Sequence, residues 1–405
     1  MKKLRWSILL MLVAGTLSLH GAPGDGIRVS GDALVASPFA GVGITHDSNA
    51  LTGTNEIDDI FYDLTAGFDL QGNASWGTAS LRAWFQDRNY DETAERDSDN
   101  VRETFAATIG DADSVEASLS QRYSKSTDYS FDERSVGLTP LDRKAYDITL
   151  LEGATIAAER EEQAYGVDLR HAFTKLDLTV GADYSSVAYE TETLNDWDEI
   201  MGGVSAGYVL SPKTMAVLDL EGSRQDSDAL ADTATFTSAR AGVHYAATAK
   251  VDVRATVGYM LNDAGQTEEG EKLEEDGLAY DIQGSWQISG KVLTQISASS
   301  GIVPSEIYTG NIKRLDQVSL ALVFGLTDRF DASVSAQMRN DAYVLVIDDE
   351  VSPDQETVGG IATLTYRAPG DFLTIALQAR HDIFDSDLED DFDVTRVGLT
   401  ANVRY

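Results

Sequence analysis

The stretch Arg396-Val-Gly-Leu-Thr-Ala-Asn-Val-Arg-Tyr405 decides how this chain reads. Val397, Leu399, Ala401, Val403 and Tyr405 form one set; Arg396, Gly398, Thr400, Asn402 and Arg404 form the other. Positions i and i+2 share a face on a strand and lie on opposite sides of a helix, so the stretch is a strand with one apolar and one polar face. Ordinary soluble domains often finish in a frayed tail, whereas here the pattern runs to an aromatic. Such a strand needs a partner for its free edge and a cover for its apolar face.

The same alternation recurs along the chain. Ile60, Tyr62, Leu64, Ala66, Phe68 and Leu70 alternate with polar or small residues, as do Leu176–Tyr184, Val251–Tyr259 and Val318–Leu326. Short connections are expected at Gly72-Asn73, Asp111–Asp113, Ala172–Lys175, Ser211–Lys213, Ala247–Ala249, Ser289-Gly290, Thr327-Asp328 and Ala368–Gly370. Long ones are expected near 47–58, 87–100, 125–160, 190–198, 225–234, 263–276, 304–311, 340–356 and 384–392, strictly interleaved with the short ones. This gives about 18 strands, an even number, with short turns at one end and long loops at the other. The expected fold is therefore all-β: a transmembrane antiparallel up-and-down barrel with short periplasmic turns and long extracellular loops. A soluble all-β protein would also alternate. Against it stand strands of about 10–12 residues, the length a tilted membrane strand needs. Aromatics also lie near the ends of apolar faces (Tyr62, Tyr123, Tyr184, Tyr208, Tyr259, Trp286, Tyr366, Tyr405), as in an interfacial girdle. The last strand is expected to close the ring on Phe39–Thr45.

Lys2, Lys3 and Arg5 precede a short apolar run, Ser7 to Leu19, and then small residues. Residues 1–22 read as a secretory signal peptide cut somewhere between 18 and 26, residues 23–36 as a short periplasmic lead, and residues 37–405 as one barrel domain. The formal net charge is −36, from 67 acidic and 31 basic side chains. That balance excludes a phosphate backbone as a partner, so no nucleic acid is expected. There is no cysteine, hence no thiol chemistry or thiolate metal site. Export of such a chain fits a Gram-negative envelope and a place in the bacterial outer membrane.

The segment Pro38 to Leu51, P-F-A-G-V-G-I-T-H-D-S-N-A-L, leads into an acidic–aromatic strand, D-D-I-F-Y-D-L-T-A-G-F-D-L; Val303-Pro304-Ser305 enters a late loop. These resemble outer-membrane porins of the "beta-barrel porin 2" type. The resemblance implies an outer-membrane barrel and a role beside exopolysaccharide export. The closing Tyr405 stands where Phe is commoner, and the last strand looks like the insertion signal read by the outer-membrane assembly machinery.

Eighteen strands leave room for an aqueous channel. The pore-lining candidates are Asp63, Asp69, Arg82, Arg88, Arg122, Asp168, Arg170, Asp183, Arg240, Arg254, Asp281, Asp331, Arg339, Arg367 and Arg404. Glu116, Asp177, Asp219, Glu221, Asp252, Arg102, Arg380 and Arg396 belong to the same inward set, which holds no lysine, and Trp84 with few other aromatics. Arginine's planar fork suits carboxylate partners. The set reads equally as a transverse field across a pore and as a ladder of ion pairs stiffening the wall. The acidic excess falls in the loops: Asp91 to Asp99, Glu268 to Asp276, Asp348 to Glu350 and Asp385 to Asp391. These read as solvated surface or as a cation-attracting mouth with weak Ca²⁺ binding. Asp97-Ser98-Asp99-Asn100 has the first letters of a Ca²⁺ loop without its central glycine or distal glutamate. Leu150–Ala164 has helical character and reads as a flap or an inward constriction. His46-Asp47-Ser48 are the letters of a hydrolase triad, but neighbours on a strand face opposite ways. No enzyme, cofactor or metal centre is expected. The expected function is passive diffusion of small hydrophilic solutes, weakly favouring cations. The alternatives are a duct or scaffold working with polysaccharide export proteins, and an occluded structural or adhesive barrel.

Overall fold

A computed structural model describes residues 26–28, 33–50, 57–110, 115–126, 159–191, 194–228, 233–248, 250–263, 276–304, 312–344, 354–387 and 391–405. The proposed signal peptide, most of the 125–160 loop and the 268–275 and 348–350 acidic runs lie outside these residues. A two-residue strand, β1 (Ile27–Arg28), precedes β2 (Leu34–Asp47), β3 (Asp59–Ala74), β4 (Gly77–Tyr90), β5 (Ser98–Gly110), β6 (Val115–Ser126) and β7 (Arg160–Ala172). Then come β8 (Leu176–Tyr189), β9 (Trp197–Ser211), β10 (Thr214–Ser227), β11 (Ala234–Thr248), β12 (Val251–Asp263) and β13 (Gly277–Ser289). The last are β14 (Val292–Pro304), β15 (Ile312–Gly325), β16 (Phe330–Tyr343), β17 (Asp354–Arg367), β18 (Leu373–Ser386) and β19 (Phe392–Arg404).

From β2 onward each strand pairs antiparallel with the next, and β19 returns to β2 with Arg396 opposite Asp47 and Arg404 opposite Phe39. Tyr405 N–H donates to the Pro38 carbonyl at 3.0 Å. The free edge of the final strand is thus consumed, and β2–β19 form a closed ring of 18 strands with no open edge. β1 adds to the end of β2, with Ile27 opposite Ala36. Following the register once round the ring returns to β2 with a stagger of roughly 22 residues. For this strand number that corresponds to a tilt of about 40° and a backbone diameter of roughly 35 Å.

The outer face carries the apolar set. Leu64, Val167, Leu218, Val257, Leu320, Leu377 and Leu399 are exposed there. Tyr62, Tyr184 and Tyr259 stand toward the long-loop end, and Tyr208 and Trp286 toward the short turns. Such a surface is satisfied by lipid, and the closed ring satisfies the backbone that lipid cannot. The protein is an outer-membrane β-barrel.

The strands, at 12–16 residues, exceed the 10–12 expected. The additions lie mainly at the long-loop end, where the faces exchange character. On β19, Phe392 and Val394 point inward and are buried while Asp393 points outward. On β18, Asp382 and Phe384 are buried inside, and His381 and Asp385 face out. The helical expectation for Leu150–Ala164 fails at Arg160–Ala164, which open β7; Glu162 and Ala164 alternate there with Glu161 and Gln163, and the ladder to β6 outweighs helix propensity. Among the described residues the only helical piece is a 3₁₀ turn, Ala94–Arg96.

Candidate functional site

The inner wall is built by the residues that alternate with the lipid-facing set. Its charges pair locally, within a strand, between neighbouring strands or across one intervening strand. On β3 and β4, opposite each other in register, Asp63 holds Arg88 through two bonds of 2.8 and 3.0 Å, and the Arg88 guanidinium lies 3.9 Å from the centre of the Phe61 ring. Nearer the periplasmic end Asp69 takes both Arg82 at 3.2 Å and Arg404 at 3.1 Å. The second contact reaches from β19 over β2 to β3, so it ties the closing strand to the start of the barrel. Arg396 makes a second tie, 2.7 Å from the fully buried Asp47.

Around the ring the pattern continues. Arg122 pairs with Glu162, which also takes Arg160 at 2.8 Å. Arg170 meets Asp177 at 2.5 Å, and Arg240 meets Glu221 at 2.5 Å. Arg254 reaches both oxygens of Asp219, at 2.6 and 2.7 Å, and Ser205 Oγ donates to the same carboxylate at 2.7 Å. Arg367 lies 2.7 Å from Asp331, Arg339 2.7 Å from Asp341, and Arg380 2.5 Å from Asp382. Asp168 and Asp183 lie over glycines of the adjacent strand: a Cβ on Gly181 would stand 2.4 Å from Asp168 Oδ1, and one on Gly166 would stand 2.5 Å from Asp183 Oδ1. Asp281 is half-buried, opposite Thr256 and Ser299. Among the described residues Asp168 and Asp281 have no arginine partner.

Of the two arrangements open to these charges, acids and arginines do not segregate to opposite walls; each arginine named above lies against an acid. The pairs that run between strands brace the wall, and those within one strand neutralise it locally. Phe39 and Trp84 meet over Gly67, where a Cβ would lie 2.6 Å from both side chains, and Arg82 sits 5.3 Å from the Phe39 ring centre. Only a glycine lets this aromatic pair close on the inner wall.

Several inner residues escaped the sequence reading. Asp47, Asp59, Arg160, Glu162, Glu199, Lys313, Asp341 and Asp382 keep the inward parity, but they lie in or beside stretches taken for loops or, for Glu162, in the stretch taken as helical. Lys313, buried and 2.9 Å from Asp341, corrects the expectation of a lysine-free wall. Trp84 is also far from alone. Phe61 and Tyr90 contact at 5.1 Å between ring centres, Phe384 and Phe392 stack at 4.7 Å, and Phe236 and Tyr343 are buried on the same face. These form an apolar collar inside the extracellular end, above the charged wall. Ala50, from the loop after β2, packs with Phe61 and Tyr90.

The remaining motifs resolve structurally. Asp97 Oδ1 accepts the Tyr90 N–H at 2.8 Å, and Ser98–Asn100 open β5, so these letters close a turn and begin a strand. Asp59 accepts the N–H of Thr93 at 2.7 Å and its hydroxyl at 2.5 Å, pinning the same loop. His46 is exposed on the outer face and Asp47 is buried on the inner one. Among the described residues no three His, Asp or Glu side chains gather to hold a metal.

Among solved structures the chain is similar to OccK1 (OpdK) of Pseudomonas aeruginosa, at 9% identity and TM-score 0.48, over 91% of this chain and 99% of that one. It is similar to OccK2 (OpdF) of the same organism, solved with glucuronate, at 10% identity and TM-score 0.47, over 92% and 96%. It is similar to the FrpB iron transporter of Neisseria meningitidis at 9% identity and TM-score 0.46, over 90% and 82%. No family model and no curated protein matches the chain.

Proposed function

We propose that the protein is a passive outer-membrane channel for small hydrophilic solutes, with a weak preference for cations. The observation that carries this reading is the ring itself: 18 strands, roughly 35 Å across between backbones, enclose a wall that is polar and charged through the membrane zone. An interior meant only to be packed would be filled by apolar side chains. The fifteen candidates from Asp63 to Arg404 are its pore-lining residues; with the acids paired to their arginines (Glu162, Asp177, Asp219, Glu221 and Asp341) they act mainly as a rigid, locally neutral wall. Cation preference follows from the inner wall taken whole: with Asp47, Asp59, Glu162, Glu199, Asp341 and Asp382 added to the inward set, its acids outnumber its arginines and Lys313. Acidic loops add to it from outside and bind Ca²⁺ weakly. The β19 face ending in Tyr405 is what the assembly machinery engages.

Single-channel recording in planar bilayers tests this. Ohmic conductance with a reversal potential shifted toward the cation is expected; barrels that insert and never conduct refute it. A second reading, a duct of the "beta-barrel porin 2" type serving exopolysaccharide export, rests on the sequence resemblance, since the inner rings are buried and offer no free face to a sugar. Loss of surface polymer on deletion of the gene supports that reading; unchanged polymer removes it, and leaves an occluded structural barrel as the remaining alternative if conductance is also absent.

A further inference from the structure

The β13–β14 hairpin pairs less far than its neighbours. Its ladder runs from Ser289 opposite Val292 to Asp281 opposite Ser299 and stops. β13 continues beside β12 to Gly277 opposite Met260, and β14 continues beside β15 to Pro304 opposite Ile312. Above Asp281 the two strands therefore part, and side chains span the gap. Ser300 Oγ and Arg314 Nη2 donate to the Leu278 carbonyl at 2.8 and 3.4 Å, and Tyr280 O–H donates to Asp316 Oδ1 at 3.0 Å.

Beyond the break the wall overlaps itself. Ile302 and Ile312 are in step with Ile296 and Val318, which are 47% and 44% exposed to the outside, yet they are 6% and 0% exposed. They share one apolar cluster with Ala234, Phe236, Met260 and Ala279, which belong to the inner face of β11–β13, and Val344 after β16 packs on the same cluster. Outer-face side chains of one part of a ring meet inner-face side chains of its neighbour only where the first part lies inside the second. The other side of the segment is covered as well: Lys313 is buried, bonded to Asp341 and 5.9 Å from the Tyr343 ring centre. A strand of the barrel wall leaves one face to lipid or water; here neither face is free.

We propose that the extracellular ends of β14, β15 and β16 form a hinged flap that closes the mouth. The hinge is the end of the ladder at Asp281 and Ser299. The seat is the apolar cluster on β11–β13, and the fasteners are the bonds from Ser300, Arg314 and Tyr280. Seated, with its apolar side held against β11–β13, the flap takes up part of the mouth and narrows it; released, it exposes the charged wall below. This rests on the channel reading, and the test separates the two.

The chain has no cysteine, so cysteines placed at Ala279 and Ile302 are the only thiols present. Bridged by a short reductant-cleavable bis-thiosulfonate, single barrels are expected to stay at a low conductance level. Reductant applied to the same barrels is expected to restore openings at least about twofold larger. Conducting barrels with equal conductance before and after reduction overturn the flap. A second readout needs no conduction: a single cysteine at 302 is expected to react with a charged maleimide about tenfold more slowly than one at 385, and to speed up when Tyr280→Phe and Arg314→Ala remove the fasteners. Labelling at 302 as fast as at 385 overturns the flap. Barrels silent in every form, with slow labelling at 302, keep the flap and refute the open channel.

Discussion

β19 holds two regions with opposite rules. From Val397 to Val403 its outward residues are apolar and exposed, and its inward ones are Gly398, Thr400 and Asn402. Two turns of the pleat earlier, Phe392 and Val394 point inward into a buried cluster, and Asp393 points out. The backbone geometry and the ladder to β18 are continuous through both. What changes is the surroundings: hydrocarbon outside and a polar, charged wall inside for the first region, water outside and packed protein inside for the second. One sheet thus serves as a membrane wall below and as the shell of a small soluble-type core above. The difference teaches that alternation fixes the strand, while the sense of the alternation reports which medium each face meets.

The boundary between the regions is where the largest effect is expected. Asp47 and Arg396 sit just below the apolar collar, and Asp47 is fully buried. Arg396→Met should lower unfolding free energy by about 3–5 kcal/mol, because it strands a buried carboxylate. Asp47→Leu added to it should recover most of the loss. Arg170→Met, at a pair that is 43% and 23% exposed, should cost at most about 1 kcal/mol. Urea unfolding in detergent micelles measures all three; equal costs for the two arginines would erase the boundary.

The second comparison sets lipid against water. Val257 is exposed near the middle of the apolar band on β12, so Val257→Lys should cost about 2–4 kcal/mol, whereas Asp226→Lys on the outer face of the extension should stay within about 0.5 kcal/mol. A third sets the two kinds of apolar contact against each other. Phe384→Leu removes a ring stacked at 4.7 Å on Phe392 and should cost about 1 kcal/mol, while Phe68→Leu on the lipid face, which keeps a hydrocarbon neighbour either way, should cost clearly less.

The same contrast explains what could be read from the residues. The closing pair of strands and the interleaved short and long connections were legible, because in the membrane zone polarity follows strand parity. Phe39–Thr45 does pair with the final strand, and the short turns fall within a few residues of their expected places. The extensions were not legible. In Phe392-Asp393-Val394 or Phe384-Asp385 the period of two persists with its sign reversed, and next to acidic letters it reads as loop. For the same reason Lys313 and Asp341 were left off the inner wall. The overlap at β14 is harder still, since Ile302 and Ile312 obey the lipid-facing pattern and only the three-dimensional path shows that they turn inward.

The smallest effect locates the edge of the membrane. Asp393 is outward and about half exposed, beside His381, whose Nδ1 lies 3.9 Å from its carboxylate and 2.9 Å from Thr395 Oγ1. If water bathes this face, Asp393→Leu exchanges one solvated side chain for another and should alter unfolding free energy by no more than about 0.5 kcal/mol. If the bilayer reached this height, the same change would remove a carboxylate from hydrocarbon and add buried apolar area, stabilising the barrel by about 1 kcal/mol or more. The comparison between the two regions predicts the first result, measured in liposomes so that the bilayer has a defined thickness. A clear stabilisation would move the membrane edge outward by at least one step of the pleat, and the apolar collar would then lie within the membrane.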